Sequence, residues 1–535
     1  MTSLVLLLGG AAAALAVARW RTLPSVPLLI IFGAGLSATG VTQGIRGLDD
    51  LLILGLVFLV FTAGTELDPR RFTERWTLWA GVGVVQFLVL AGAGWGVGLL
   101  MGWTPPASLY LGLGLAASST LVVVSLLQSR EHVYEPYGRL VLGVLLVQDV
   151  FMIFALTLLS HLDTGWPGMA LSLVKASLLM LLAWLVARRL TPRVLAASAL
   201  DDEFLLLYLL AVLLTFVGVA RLLDLPLVAG AFWAGVGLTG FPVHGLIRGQ
   251  LQSLSQFFTV LFFVALGAVV PLPGLEDLPP ILGLSLLVVL VTPPLVTFLA
   301  ERMGLTTRAG LEAGLILSQT SEFSIILVLF GVQRGHIGQD MMILLGWVTI
   351  LTMLLTPLIT TNRMAWRLMR LHPSRWQELP AEPPTGHLLL IGAGETGSQV
   401  LEYAVRRGQK VVVIDEDPQV VQRLRQAGYE AIRGDGADFR TLRAAGAARA
   451  AVVVSTMRRL KDHAAILKCA KGPPVLCRVF EEVDAERIRQ RGGIPVLISR
   501  AAAESFMAWY DAWAGAAASG SRTSKSQSPQ TRGGS

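Results

Sequence analysis

Long apolar runs follow one another through the first 361 residues of the chain. A helix needs about 20 mostly apolar residues to cross the hydrocarbon core of a bilayer. Counting runs between charges, prolines and glycines predicts thirteen transmembrane helices. They cover residues 3–18, 25–42, 49–66, 77–102, 107–127, 137–161, 168–187, 203–222, 226–240, 256–272, 278–300, 309–333 and 339–361.

Composition separates this membrane part from a hydrophilic remainder. The 535-residue chain is 54% hydrophobic and only 15% charged, against roughly 25% charge in typical soluble domains. Residues 1–361 contain a single lysine, Lys175, whose amine is expected to reach toward the membrane surface. The net charge of +7 comes largely from loop arginines, so no nucleic-acid partner is expected.

Arginines in the short loops predict which side of the membrane each loop lies on, because cytoplasmic loops carry an excess of basic residues. With the N-terminus outside, the outer loops hold only Arg46, Arg221 and Arg334. The inner loops then hold Arg19, Arg21, Arg70, Arg71, Arg75, Arg130, Arg139, Arg188, Arg189, Arg193, Arg248, Arg302, Arg308, Arg363, Arg367 and Arg370. The pattern predicts a multi-pass protein of a bacterial-type plasma (inner) membrane with a cytoplasmic C-terminal domain.

Two carboxylic acids lie in the middle of apolar runs, where an Asp costs about 3 kcal/mol by insertion scales and typically marks an ion or proton path. Asp149 is central in the sixth run, next to Gln148. Glu322 is central in the twelfth. Each could instead be a structural carboxylate bonded to a neighbouring helix. That alternative carries more weight for Glu322, whose Ser, Thr and Gln neighbours could satisfy it locally.

Small hydroxylated residues interrupt two of the runs. The fifth contains Ser118, Ser119 and Thr120, and the twelfth contains Ser318–Ser321. Such residues can cap a helix that is broken within the membrane, and the freed carbonyls can face a cation. Two broken helices in the two halves of one bundle are typical of inverted-repeat transporters. Packing of small residues between helices is the alternative interpretation.

Six short motifs, in order, resemble the cation:proton antiporter-2 family, especially its potassium efflux antiporters of the glutathione-gated type. They are FTAGTELDP at 61–69, ASST at 117–120, VQD at 147–149, VAGAFWAG at 228–235, FF at 257–258 leading to Gly267, and SQ at 318–319 with EF at 322–323. The resemblance covers residues 1–361. It implies a homodimer in which a core domain carries Asp149 between the two sides of a scaffold domain.

Competition at one carboxylate is the expected mechanism. Asp149 would hold either a proton or a dehydrated K⁺ or Na⁺, and exchanging one for the other moves no net charge. Some relatives carry a lysine where this chain has Val291–Pro294, so electroneutral antiport is expected. The candidate ion-binding residues are Asp149, Gln148, Ser118, Ser119, Thr120, Glu322, Gln319 and Ser321.

A dinucleotide-binding pattern follows a Pro-rich linker at 362–385. The strand His387–Ile391 runs into Gly392-Ala-Gly394-Glu-Thr-Gly397 and a helix, and a second strand ends at Asp415. Glycines let the backbone approach a pyrophosphate, and the acid can accept from ribose hydroxyls. Residues 386–500 resemble the RCK or TrkA-N regulatory domain. A C-terminal helix and a disordered tail are predicted for 501–535.

The expected regulatory ligand is NAD(H) or an adenine nucleotide such as AMP or ATP, because Asp415 disfavours a 2′-phosphate. Binding would bias transport by preferring one state of the domain dimer. Glutathione gating is not expected, since residues 241–250 lack the acids of the gated relatives. The candidate contacts are Gly392, Gly394, Glu395, Thr396, Gly397, Asp415, Glu416, Asp435 and Ser455.

Three other functions fit parts of the sequence. A nucleotide-gated potassium channel-like protein would need a selectivity filter, and no T-V-G-Y-G type sequence occurs. A membrane-tethered NAD-dependent oxidoreductase would need a substrate domain and a placed proton donor, whereas only His387 and His463 follow the linker. Carriage of another solute on the same fold stays open.

Overall fold

The computed structural model describes residues 2–21, 25–39, 48–66, 76–129, 136–197, 202–238, 244–369, 371 and 383–518. The chain divides into two compact units, Met1–Arg375 and Trp376–Ser535. The described part of the first unit is helical, and the second contains a parallel β-sheet flanked by helices. The predicted fold class, a helical membrane bundle followed by a Rossmann-like domain, is confirmed.

Seventeen α-helices form the described part of the first unit. A 3₁₀ turn, Leu162–Thr164, precedes α8, and a π-helical turn, Val186–Leu190, follows it. The helices are α1 Thr2–Arg21, α2 Ser25–Ala38, α3 Leu48–Glu66, α4 Trp76–Leu100, α5 Pro105–Ala116, α6 Thr120–Ser129, α7 Pro136–Leu159, α8 Gly165–Leu185, α9 Thr191–Ala197, α10 Asp202–Leu222, α11 Leu227–Gly237, α12 His244–Val269, α13 Leu278–Arg302, α14 Thr307–Leu317, α15 Glu322–Gln333, α16 Gln339–Ile359 and α17 Asn362–Met369.

Eight helical segments of the described chain are long and apolar enough to cross a membrane. They are Thr77–Leu100, Pro105–Leu127, Tyr137–Leu159, Leu162–Val194, Glu203–Leu222, Leu278–Arg302, Thr307–Gln333 and Gln339–Ile359. The other five predicted spans coincide with shorter apolar helices at Leu8–Ala18, Ser25–Ala38, Leu51–Thr65, Leu227–Gly237 and Gln256–Val269. Every predicted run therefore contains a helix, whereas the count of thirteen crossings stays a prediction.

Helix packing divides the first unit into two bundles. In what we call the scaffold bundle, α1–α3 pack with α10–α12. In the core bundle, α4–α7 pack with α13–α17. Helix α8 contacts both, touching α7 of the core bundle and α11 of the scaffold bundle. The bundles also meet directly where α7 contacts α11 and where α2 contacts α16.

Glycines allow the scaffold helices to cross with their backbones almost in contact. A Cβ atom added to Gly33 of α2 would lie 2.1 Å from the carbonyl oxygen of Val264 in α12. One added to Gly267 of α12 would lie 2.0 Å from the carbonyl oxygen of Ile30. Small residues at such crossings are typical of membrane helices, which lack a hydrophobic driving force for association and depend on close packing.

Both predicted interruptions are present in the core bundle. Helix α5 ends at Ala116 and α6 begins at Thr120, with Ala117 in extended conformation between them. Helix α14 ends at Leu317 and α15 begins at Glu322. Two spans are therefore each built from two half-helices, and α5 packs against α15.

Six parallel strands form the sheet of the second unit, in the order β3-β2-β1-β4-β5-β6. This is the order of a doubly wound dinucleotide-binding fold, in which ligands bind beyond the carboxyl ends of β1 and β4. The strands are β1 Leu388–Ile391, β2 Val411–Asp415, β3 Glu430–Arg433, β4 Val452–Ser455, β5 Val475–Val479 and β6 Ile494–Leu497. The helices are α18 Glu395–Arg406, α19 Pro418–Gln426, α20 Phe439–Ala444, α21 Leu460–Cys469, α22 Glu482–Arg489 and α23 Ile498–Ala518.

The predicted linker and tail are only partly described. The first part of the linker forms α17, which packs on α14 of the core bundle. Residues 372–382 of the linker lie outside the described residues. The predicted C-terminal helix is α23, which extends to Ala518 and so includes the first residues of the tail predicted as disordered from Gly515 onward. Residues 519–535 lie outside the described residues.

Candidate functional site

The two interrupted spans cross at their breaks and are bonded to each other there. The Ser118 hydroxyl, in the first break, donates to the carbonyl oxygen of Leu317 at the end of α14, 2.8 Å away. In return, the Ser324 hydroxyl of α15 donates to the carbonyl oxygen of Gly114 in α5. Each span therefore satisfies a carbonyl that the break in the other leaves without a helical partner.

Hydroxyl groups also cap the half-helices that begin at the crossing. Ser119 Oγ accepts from the N–H of Val122 at 3.3 Å, and Ser321 Oγ accepts from the N–H of Phe323 at 3.2 Å. The second break is fixed further by Thr320, which bonds to hydroxyls of α16. Helices α6 and α15 thus present two N-terminal ends, each with partial positive charge, inside the core bundle.

Asp149 lies beside one of these positive ends. Its side chain is only 3% exposed, and its Oδ2 accepts from the hydroxyl of Thr120, the first residue of α6, at 2.9 Å. The adjacent Gln148 is fully buried, and its Oε1 accepts from the N–H of Ser118 at 2.9 Å. Neighbouring residues of α7 therefore reach the same break, one through a carboxylate and the other through an amide.

Glu322 lies between both positive ends. It begins α15 and is 3% exposed, and the Ser119 side chain and the N–H of Leu121 in α6 lie near its carboxylate. Its Oε2 has no hydrogen-bond partner among the described residues. Both interpretations of Glu322, as a structural carboxylate and as an ion-binding one, therefore stay open.

The structure brings together most of the predicted ion-binding set. Gln319 and Ser321 lie in the second break, and Ser321 is the cap of α15. Gln319 is buried, and its Oε1 has no hydrogen-bond partner among the described residues. The predicted residues that form hydrogen bonds around the crossing are Ser118, Ser119, Thr120, Gln148, Asp149 and Ser321, and Glu322 lies beside Ser119.

Some polar residues of the crossing are missing from the sequence prediction. Ser324 closes the reciprocal bond to α5, and Thr349 and Thr352 of α16 hold Thr320, at 2.9 and 3.3 Å between hydroxyl oxygens. The sequence carries a signal for the α16 residues, because Thr349, Thr352 and Thr356 recur at helical spacing along one face. Ser324 follows Glu322 by two residues, at the end of the polar segment, but the sequence does not indicate its partner in α5.

The glycine-rich turn of the second unit lies at the carboxyl end of β1. Gly392 has a φ of +88°, a conformation that favours glycine. A Cβ on Gly397 would lie 2.0 Å from the carbonyl oxygen of Gly392, so this position requires a glycine for packing. Gly394, by contrast, has no atom within 4 Å of an added Cβ. Open space therefore adjoins the N-terminus of α18, where the sequence predicts a pyrophosphate.

Asp415 is tied to this turn. Its Oδ2 accepts from the N–H of Ala393 at 2.6 Å, and its Oδ1 accepts from the N–H of Asp417 at 2.8 Å. Burial raises the pKa of the Asp415 carboxyl, and these N–H donors, together with that of Glu416, act against the rise. The carboxylate lies between β1 and β2, where the ribose of a dinucleotide binds in this fold.

The other residues that the sequence predicts to contact the nucleotide lie around the same edge of the sheet. Glu395 and Thr396 form the first turn of α18. Asp435 is buried and accepts from the N–H of Ala437 at 2.8 Å. Ser455 ends β4, and its buried hydroxyl has no hydrogen-bond partner among the described residues.

Two arginines at this edge are missing from the sequence prediction. Arg478, on β5, has its pKa lowered by burial and by the neighbouring charge of Arg458, with Glu395 acting in the opposite direction. Its Nε is buried and has no hydrogen-bond partner in the described part of the chain. The positive charges of Arg458 and Arg478 act at the same edge of the sheet and favour binding of an anion such as a phosphate. Such a pair is not readable from the sequence, because β4 and β5 meet only in the fold.

Comparison with known proteins supports both units. The family model for the transmembrane sodium/hydrogen exchanger matches residues 3–366, and the TrkA-N domain model matches residues 388–500. Among solved structures, the sodium proton antiporter MjNhaP1 from Methanocaldococcus jannaschii is 13% identical. The match covers 69% of this chain and 99% of that one, with a TM-score of 0.50, and shows a common fold.

Two further solved structures are similar to smaller parts of the chain. The TrkA-N domain of the inner membrane protein ybaL from Escherichia coli is 23% identical over 24% of this chain and 97% of that one, with a TM-score of 0.23. The GsuK channel bound to NAD is 19% identical over 42% of each chain, with a TM-score of 0.21.

The exchanger model matches well over half of the chain, and it identifies a transporter rather than an enzyme. The TrkA-N match agrees with the parallel sheet and with its glycine-rich turn. The chain therefore belongs to the sodium/hydrogen exchanger family and carries a C-terminal TrkA-N domain, the organisation of cation:proton antiporter-2 proteins.

Proposed function

We propose that this protein exchanges a monovalent cation, K⁺ or Na⁺, for a proton by alternating access around Asp149, under the control of a nucleotide bound to its TrkA-N domain. The observation that carries the proposal is the position of Asp149, a buried carboxylate at the crossing of two broken helices in a chain of the exchanger family.

Exchange follows from competition at this carboxylate. A proton neutralises Asp149 covalently, and a dehydrated cation neutralises it electrostatically, so binding of either ligand displaces the other. Moving an ionised carboxylate through the low-dielectric bundle is costly. If the core bundle reorients only when Asp149 is neutralised, uncoupled leak is suppressed. Each cycle then moves one proton against one cation.

The neighbours of Asp149 have separate roles in this proposal. Thr120 orients the carboxylate through its hydroxyl. Gln148 uses its oxygen to hold Ser118, so it serves the geometry of the break in this conformation. Ser119 and the Gln319 oxygen are the candidates for further cation ligands, since hydroxyl and carbonyl oxygens are the ligands that alkali cations prefer.

Glu322 acts in our proposal as a fixed counter-charge. Its carboxylate lies at the start of α15 and near Ser119 and Leu121 at the start of α6, so its charge offsets the positive ends of both half-helices. A carboxylate that offsets both helix ends stabilises the crossing of the two interrupted spans. Asp149 is then the one that changes partners during the cycle.

Electroneutral exchange is proposed because the sequence offers no second mobile charge. Residues 278–301 of α13 contain no Lys or Arg. Lys175 lies on α8, and its Nζ donates to the carbonyl oxygen of Leu223 in the α10–α11 turn, 2.9 Å away. The positive charge of Lys175 therefore lies at the C-terminal end of α10, where it interacts favourably with the helix dipole.

The assembly and placement that we propose follow the sequence expectations. The protein would be a homodimer joined through its membrane and TrkA-N domains, in a plasma (inner) membrane. Its N-terminus would be outside and its TrkA-N domain in the cytoplasm, as the arginine distribution favours.

Nucleotide control is proposed from the turn at Gly392–Gly397. The open space at Gly394 suits a pyrophosphate, Asp415 suits a ribose, and Arg458 and Arg478 add positive charge at the same edge of the sheet. NAD(H) and the adenine nucleotides share these groups. If the nucleotide binds one state of the domain more tightly than the other, it would shift the conformational equilibrium of the transporter.

Asp149→Asn is the first test. Asparagine keeps the size of the side chain but cannot exchange a proton for a cation. We expect cation-driven dequenching of a pH dye in proteoliposomes to fall to the level of protein-free vesicles with both K⁺ and Na⁺. Asp340→Asn, which changes an exposed acid at the start of α16, is the matched control and should keep wild-type exchange.

Wild-type exchange by the Asp149→Asn variant would remove this carboxylate from the mechanism. The same wild-type vesicles test electroneutrality, with valinomycin and defined K⁺ gradients setting the voltage. Turnover should not respond to voltage, and a rate that follows it would contradict one-for-one exchange.

Glu322→Gln separates a structural role from a ligand role. Glutamine keeps an acceptor oxygen for Ser119 but loses the charge, which should cost about 1–2 kcal/mol of stability. We expect a lower melting temperature and a lower maximal rate, with the apparent KM for the cation nearly unchanged. A KM raised about tenfold, corresponding to about 1.4 kcal/mol of lost binding, would instead make Glu322 a cation ligand.

Gly394→Val tests the nucleotide site. The added side chain meets open space in the unliganded fold but occupies the position proposed for the pyrophosphate. We expect the purified full-length protein to keep its melting temperature and to lose binding of NADH, AMP and ATP in fluorescence or calorimetric titrations. Gln399→Val, at an exposed position of α18, is the control. Unchanged affinities in the Gly394→Val variant would place the nucleotide elsewhere.

A further inference from the structure

The ends of α7, α10 and α15 meet on one face of the membrane bundle, which we call the far face. Two histidines lie there, each with one aspartate. The Nε2 of His161 lies 3.5 Å from Oδ2 of Asp224, and the Nε2 of His336 lies 3.0 Å from Oδ2 of Asp163. The histidine side chains are 11% and 8% exposed, whereas the aspartates are 85% and 72% exposed.

A hydroxyl group holds the other ring nitrogen of each histidine. Ser160 Oγ lies 2.8 Å from Nδ1 of His161, and Oη of the buried Tyr110 lies 2.8 Å from Nδ1 of His336. Both rings are therefore fixed on one side and directed to a carboxylate on the other. The Ser160 hydroxyl donates to the carbonyl oxygen of Thr157 at 2.7 Å, so it accepts from Nδ1–H of His161. The Nε2 of His161 is then the nitrogen whose protonation state sets the contact with Asp224.

The two pairs differ in what they connect. Tyr110 is on α5, His336 follows α15 and Asp163 follows α7, so the His336–Asp163 pair joins segments that adjoin core helices. His161 also follows α7, but Asp224 lies in the turn between α10 and α11 of the scaffold bundle. The His161–Asp224 pair therefore bridges the two bundles.

Asp224 is held in place on the scaffold side. It has a φ of +58°, and its N–H donates to the carbonyl oxygen of Arg221 at 3.1 Å. The preceding residue, Leu223, accepts from Lys175 of α8. This turn therefore presents its carboxylate to His161 from a fixed position.

We propose that His161 and Asp224 form a pH-sensitive latch between the core and scaffold bundles. The inference rests on the proposed function, because it requires the bundles to move relative to each other. Imidazoles ordinarily change charge near pH 6.5. Protonation of His161 converts the contact into an ion pair, which stabilises this conformation over any in which the bundles have separated at the far face. Acid on that face slows the transport cycle.

Other charged groups surround the latch. Arg334 donates to the carbonyl oxygen of Ser160 at 3.0 Å, next to His161. Lys175 lies beside Asp224 through its bond to Leu223. The His336–Asp163 pair lies on the core side.

Asp224→Asn tests the latch. Asparagine tolerates positive φ and keeps the shape of the side chain, so the exposed turn is preserved. Exchange is measured in vesicles of defined orientation, with the interior held at pH 7.5 and the pH at the far face varied from 5.5 to 8. We expect wild type and variant to match at pH 8. At pH 5.5 the variant should be faster by about two- to fivefold, the range that an exposed ion pair supplies.

Asp163→Asn is the matched control, because it breaks a His–Asp pair of the same chemistry that does not bridge the bundles. It should follow the wild-type pH profile. His161→Gln should follow the profile of Asp224→Asn, and the double variant should add nothing to either single one. Superimposable profiles of wild type and Asp224→Asn, or an equal effect of Asp163→Asn, would overturn the latch. Exchange at pH 8 in all variants would leave the proposed antiport standing in either case.

Discussion

The core bundle depends on how two broken helices satisfy their backbone groups within a membrane. An unpaired N–H or carbonyl in hydrocarbon costs several kcal/mol, and each break releases several. Here the breaks cross, and hydroxyls of one span bond carbonyls of the other, from Ser118 to Leu317 and from Ser324 to Gly114. The crossing is thus possible because each span completes the other. It also directs two positive helix ends into the bundle.

Those two helix ends explain why two carboxylates persist at the crossing. Glu322 lies at the start of α15 and near the start of α6, whereas Asp149 accepts from the hydroxyl of Thr120, the first residue of α6. In the proposed mechanism, Glu322 offsets the two helix ends and Asp149 binds the exchanged ligands. Exchange then requires only that a proton and a cation compete for Asp149, and that the core bundle moves against the scaffold. The latch proposed at the far face would act on this movement without contacting the ion.

Sequence patterns predict the parts of this arrangement that are local. Apolar runs, the polar breaks at Ser118–Thr120 and Ser318–Ser321, and the glycine-rich turn all appear where expected. Contacts between distant segments are not readable in this way. The Ser324–Gly114 bond, the Arg458–Arg478 pair and the His161–Asp224 bridge each join residues that only packing brings together. The sequence likewise leaves two roles open for Glu322, and its position between the starts of α6 and α15 is the reason why we propose the structural one.

Cation binding and proton release by the purified protein test the central claim most directly. K⁺ or Na⁺ is added to weakly buffered protein in detergent, and released protons are followed with a pH dye while bound cation is measured by calorimetry. Competition at Asp149 predicts that both signals saturate together, and that the number of protons released per bound cation approaches one below the pKa of the carboxyl group and falls toward zero above it. A proton-to-cation ratio that stays at zero over the whole pH range would contradict a single carboxylate that serves both ligands.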